Sequence, residues 1–105
     1  MDKQAVYKQI RKTVDAYIPG TRILLFGSQA RGDVDRFSDY DLLIITNENF
    51  SSKEKITWAT RLNKALVQAI NAPVDLLINS KDEVLQKKQL PGHIIGSALK
   101  EGVAL

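Results

Sequence analysis

The sequence has no cysteine, one histidine, one methionine and one tryptophan. Without cysteine there is no disulfide and no thiolate metal site. A single histidine argues against zinc, which usually recruits several Cys or His ligands. Any metal would be held mainly by oxygen, which favours magnesium, manganese or calcium. No apolar run approaches membrane-spanning length, and Met1-Asp2-Lys3-Gln4 does not lead into an apolar signal core, so a cytoplasmic protein with no membrane role is expected. The excess of positive charge is small: 15 Lys and Arg against 12 Asp and Glu, a net +3. That weakly favours an anionic partner such as a nucleotide. It falls short of the basic stripe of a duplex binder, so direct nucleic-acid binding is not expected.

What remains is ordinary. A chain of 105 residues, 44% hydrophobic and 26% charged, fits one globular domain over residues 1–105 with a core of its own. There is no internal repeat and no low-complexity segment. Pro19-Gly20, Gly27, Gly32, Pro73, Pro91-Gly92, Gly96 and Gly102 punctuate the chain. Val6, Ile10 and Val14 repeat at helical spacing and predict a helix over 3–17, ended by Pro19-Gly20. Ile23-Leu24-Leu25-Phe26, closed by Gly27, reads as a buried strand, and a polar loop follows. Residues 41–46 hold Leu42-Leu43-Ile44-Ile45, apolar on both faces and therefore a central strand. Residues 52–70 predict a helix capped by Ser51 or Ser52, with Ile56, Ala59, Leu62, Leu66, Ala69 and Ile70 in one stripe. Val74 to Ile78 reads as a strand, 81–90 and 92–100 as short helices, and Gly102 to Leu105 as a last edge strand.

This order predicts an α+β fold: a small mixed sheet flanked by helices. The connection from strand 41–46 through helix 52–70 to strand 74–78 has the length of a right-handed crossover, which makes those strands parallel neighbours or near neighbours.

Three features carry chemistry. Gly27-Ser28 directly follows a strand, where a glycine lets the backbone turn sharply and bring its N–H groups to a ligand, and such a corner suits a phosphate. The turn after it could be helical, a strand-to-helix corner; taken alone, the glycine reads first as a simple turn. Asp39 and Asp41 stand two apart at the start of a strand, so both point to one face. Like charges that close repel, and one should fail to ionise unless a cation compensates. The bland alternative is an exposed strand start. Asp75 interrupts the apolar run Val74 to Ile78, and a carboxylate buried there needs a partner; a helix cap or a lysine pair is the other reading. If the two strands adjoin, the three carboxylates form an oxygen-ligand site for two divalent ions, the requirement of metal-assisted phosphoryl or nucleotidyl transfer.

Two familiar motifs fail here. Gly27 to Gly32 has the glycine spacing of a P-loop, but Asp33 stands where a lysine is needed. Asp33, Asp35, Asp39 and Asp41 suggest a calcium loop, but Phe37 takes its fifth position, Ser38 replaces its glycine and Ile44 its final glutamate.

Gly27-Ser28-Gln29-Ala30-Arg31-Gly32, followed by Ser38-Asp39-Tyr40-Asp41-Leu42, resembles the signature of the polymerase-beta-like nucleotidyltransferases. It looks most like their minimal nucleotidyltransferase (MNT) group. Asp75 and the closing Glu101-Gly102-Val103 fit as well, so the resemblance covers most of the chain. It implies a nucleotidyltransferase fold and metal-dependent transfer of a nucleoside monophosphate, AMP from ATP, to a hydroxyl. Gly27 and Ser28 would hold phosphates, and Arg31 would approach the triphosphate unless it is a surface residue. Asp39 and Asp41 would bind two Mg2+ ions, with Mn2+ the alternative. Asp75 would complete the second metal site and help deprotonate the acceptor. Larger relatives carry a substrate-binding helical domain that this chain is expected to lack. The resemblance therefore implies an acceptor on another molecule: a tyrosine of a HEPN-type toxin, with this chain as the antitoxin. Transfer to a small molecule and neutralisation of a partner by binding alone stay open, as does an oligomer.

Elsewhere, His93 reads as a surface or helix-start residue. Trp58 reads as packing against the core or a partner, with nucleobase stacking as the alternative. Lys81, Lys87 and Lys88 read as a solvated helix face that could also meet an acidic or nucleic-acid partner.

Overall fold

A computed structural model describes residues 2–32 and 39–105. Helix α1 spans Lys3–Tyr17 and starts at Asp2, whose side chain accepts the N–H of Ala5. Strand β1 (Arg22–Phe26) runs directly into the short helix α2 (Gly27–Arg31). Strand β2 is Tyr40–Thr46, helix α3 Ser52–Ile70 and strand β3 Val74–Ser80. Helices α4 (Lys81–Lys87) and α5 (Ile94–Glu101) and strand β4 (Val103–Ala104) complete the order.

The four strands form one mixed sheet in the order β3-β2-β1-β4. β2 pairs parallel with β3 and antiparallel with β1, and β1 pairs antiparallel with β4. The expected central strand, the parallel neighbours and the terminal edge strand are all present. The sheet is covered on both faces, which explains the unbroken apolar runs of β1 and β2. Ile23, Leu25, Leu42 and Ile44 face α1 and α3, meeting Val6, Ile10, Val14, Leu62 and Leu66. The alternate residues Leu24, Phe26, Leu43 and Ile45 meet Val84, Ile95 and Ala98 of α4 and α5. Each fully buried aliphatic side chain contributes roughly 1.5–3 kcal/mol.

Residues 27–31 coil into α2, in keeping with the strand-to-helix corner expected at Gly27-Ser28. Two expectations are corrected. The helix expected over 81–90 stops at Lys87. Ile56 does not belong to the core stripe of α3: it is 68% exposed, while Leu62, Leu66 and Ile70 are buried. The core side of this part of α3 is taken by Trp58, whose ring stacks obliquely on Phe50 with centroids 6.3 Å apart and packs against the α1–α3 core. Ser51 caps α3 through a reciprocal pair with Glu54, and Ser80 caps α4 in the same way with Glu83. His93 caps α5, its Nδ1 accepting the N–H of Ile95. Lys81 and Lys88 are exposed, whereas Lys87 donates to Asn79 Oδ1. No helix among the described residues is long and apolar enough to cross a membrane.

Candidate active site

The pairing register places Asp41 at a junction. It lies opposite Phe26 on β1 and opposite Asp75 on β3. A parallel register keeps both carboxylates on the same face of the sheet. Tyr40, between Asp39 and Asp41, points the other way and packs near Tyr7 on the α1–α3 face. Burial and the neighbouring Tyr7 push its phenol above the usual value. The alternation thus leaves Asp39 and Asp41 together on the opposite face. The start of β3 is anchored by two hydrogen bonds: Asn63 Nδ2 donates to the carbonyl of Val74 at 2.6 Å, and the N–H of Tyr40 donates to the carbonyl of Pro73 at 3.0 Å.

Gly27 meets this junction from the end of β1. Its φ is +74°, and a Cβ at that position would lie 2.2 Å from Asp41 Oδ2. The backbone therefore approaches the carboxylate closer than any L side chain permits. Ser28 follows, half-buried, in the first turn of α2. Arg31, at the end of that helix, is 49% exposed and pairs with Glu101 at 3.3 Å. Glu101 Oε1 also accepts the N–H of Gly27 at 3.1 Å.

Asp41 carries the strain of this arrangement. Its carboxyl is raised above the usual range, first by burial and then by the charges of Asp75 and Asp39; Arg31 pulls it down and Glu101 adds a further upward push. The charges of Asp75 and Asp39 thus add to burial in favouring the protonated form of Asp41. Asp75 corrects one expectation. It is exposed near the start of the edge strand β3, so no buried partner is required. It lines an open groove of about 500 Å3 together with Ala59, Thr60, Asn63, Lys64 and Leu76.

The structure thus gathers Gly27, Ser28, Arg31, Asp39, Asp41 and Asp75 at one end of the sheet. Ser38, the first residue of the second motif, and Asp33 and Asp35 lie outside the described residues. Among the described residues, no three acidic or imidazole side chains converge into a ready-made metal cage. Asp39, Asp41 and Asp75 share a patch, and their chemistry suits a hard cation held by oxygen. Glu101, in sequence only a member of the closing Glu101-Gly102-Val103 segment, is brought by the fold to Gly27 and Arg31. The available signal was its place just ahead of Gly102-Val103, where the chain returns to β1.

Residues 7–105 match the family model of the nucleotidyltransferase domain. The chain belongs to that family. It is 40% identical over 52 residues to a provisionally named protein adenylyltransferase of Methanocaldococcus jannaschii. That match spans 48% of this chain and about half, 52%, of the relative. The fold is shared with a provisionally identified minimal nucleotidyltransferase: TM-score 0.69, 22% identity, covering 100% of this chain and 97% of the other. It is shared too with a structure containing a tri-AMPylated Shewanella oneidensis HEPN toxin in complex with an MNT antitoxin: TM-score 0.61, 20% identity, covering 98% of this chain and 71% of the other.

Proposed function

We propose that this chain transfers AMP from ATP to a hydroxyl group on another protein, a tyrosine of a HEPN-type partner, and thereby acts as an antitoxin. The observation that carries the proposal is the register of Asp41 with Asp75, closed from the β1 side by Gly27. Asp39, Asp41 and Asp75 would hold two divalent ions, Mg2+ or Mn2+. Bound there, such ions neutralise phosphate charge and favour loss of pyrophosphate. Gly27 and Ser28 would contact the phosphates, and Arg31 would face them from the rim. The acceptor oxygen attacks the α-phosphorus, the bond from that phosphorus to the bridging oxygen of pyrophosphate breaks, and pyrophosphate leaves. The hydroxyl proton passes to Asp75, whose exposure and open groove give an incoming side chain access. The M. jannaschii relative and the AMPylated toxin complex support this reading.

The test is to co-express the chain with a HEPN-type protein and weigh the partner. A gain of one or more AMP groups, lost in Asp39→Asn and Asp41→Asn, is the expected result. No mass change, together with no pyrophosphate release from ATP and Mg2+ with any acceptor, defeats it. Ile56, 68% exposed on α3, favours a second reading in which the domain neutralises a partner by binding alone. Neutralisation that survives Asp39→Asn and Asp41→Asn unchanged would establish that reading. AMP appearing on a small hydroxyl compound and never on protein would point to a small-molecule acceptor.

A further inference from the structure

Glu101 lies 74 residues from Gly27 and belongs to neither of the two glycine and aspartate motifs, yet one of its oxygens accepts the Gly27 N–H at 3.1 Å. Both its oxygens lie 3.3 Å from Arg31. The main chain that presents it is tightly held. At Gly102 a Cβ would sit 2.3 Å from the carbonyl oxygen of Ala98 in α5 itself, and 3.2 Å from Leu24 Cβ on β1, so glycine lets the chain leave α5 in this tight turn and pass on to β1. The N–H of Gly102 closes the helix on Ala98, and Val103 and Ala104 then pair with Leu25 and Leu24. The side chain of Glu101 is thus delivered to one place by a helix end and a strand.

A half-exposed Arg–Glu pair contributes little to stability, because solvent screens it. The second contact differs in kind. It fixes the backbone of the residue that abuts Asp41, and the first fixes the cation at the rim of the same site. We propose that Glu101 is a positioning residue for nucleotide binding: it sets the Gly27 turn and aims Arg31 so that both meet the triphosphate. This inference rests on the nucleotidyltransferase reading above and extends it to a residue of the closing segment.

Calorimetric titration of ATP with Mg2+ into the wild type, Glu101→Ala, Glu101→Gln, Arg31→Ala and Glu101→Gln/Arg31→Ala tests it, with thermal melts alongside. Glu101→Ala should weaken ATP binding about tenfold, the effect of losing one charge-assisted contact, with little change in melting. Glu101→Gln still accepts from Gly27 and loses only the charge on Arg31, so it should lose about threefold, and less than that once Arg31 is already gone. Wild-type affinity in Glu101→Ala overturns the inference, as does a loss that only tracks unfolding. If Glu101→Ala does not fold, Glu101→Gln decides, and wild-type affinity there overturns it. If the wild type itself binds no ATP, the nucleotide reading fails first and carries this inference with it.

Discussion

Gly27 and Asp41 compete for the same space: a Cβ on Gly27 would stand 2.2 Å from Asp41 Oδ2. Two costs follow for Gly27→Ala. The left-handed backbone at φ +74° costs an alanine roughly 1–2 kcal/mol. The clash is with a side-chain end, which can swing away at little energetic expense. Stability should therefore fall by only about 1–2 kcal/mol, while nucleotidyl transfer, which needs that carboxylate in place, should fall by on the order of 10²-fold or more. Denaturant melts beside a pyrophosphate-release assay check the pair of outcomes; an active Gly27→Ala protein would contradict the role given to Asp41.

Asp41→Asn should stabilise the fold at neutral pH. The carboxyl of Asp41 is raised by burial and by Asp75 and Asp39, so the folded state binds its proton more tightly than the unfolded state does. With a raised folded value, stability falls as pH climbs from the ordinary carboxylate range through the folded one, and the ionised Asp41 remains a burden above it. The advantage of asparagine, under about 1 kcal/mol for a charge this well screened, should vanish below about pH 4. Melts of both proteins between acid and neutral pH measure it, and an Asn variant that is less stable at pH 7 refutes it.

Glu83 runs the other way. Burial alone would raise its carboxyl, but hydrogen bonds from Lys55 and from the Ser80 backbone, with the charges of Lys55 and Lys87, bring it below the usual range. Its contribution is present above the unfolded value and is lost as pH falls through the folded one. Glu83→Ala removes its half of the α4 capping box, the acceptor for the Ser80 N–H, and the link to Lys55 on α3, and should cost about 1–2 kcal/mol at pH 7. The deficit should shrink in acid, where wild-type Glu83 is itself protonated; a deficit that stays constant with pH would leave the charge without a role.

Leu62 and Ile56 divide the faces of α3. Leu62→Ala should cost roughly 2–5 kcal/mol, whereas Ile56→Lys should change stability by no more than about 0.5 kcal/mol. Urea unfolding of the two variants separates a core position from a surface one. If Ile56→Lys leaves stability intact but abolishes partner neutralisation, the exposed side of α3 is the docking face.

The architecture was legible where residues act through periodicity or pairing. Leu42 to Ile45 reads as central because four apolar neighbours need cover on both faces, and β2 has it. Asp75 misled on burial, since a run of apolar neighbours does not reveal that its strand lies at the sheet edge. Ile56 misled because helical spacing marks a stripe but not how far the partner surface extends beneath it. Glu101 could not be assigned locally, as its two contacts depend on how the chain returns to β1 after α5.

That return also governs when the site can exist. The Gly27–Glu101 contact spans 74 residues, and Glu101 is held in place by β4. During synthesis the acidic strands and the Gly-Ser turn emerge first, but the side chain that steadies them emerges with the closing segment. Without that segment the Gly27 turn loses the side-chain acceptor that fixes its N–H. Competence to bind nucleotide should therefore depend on the closing segment being seated on β1, and not on the two motifs alone.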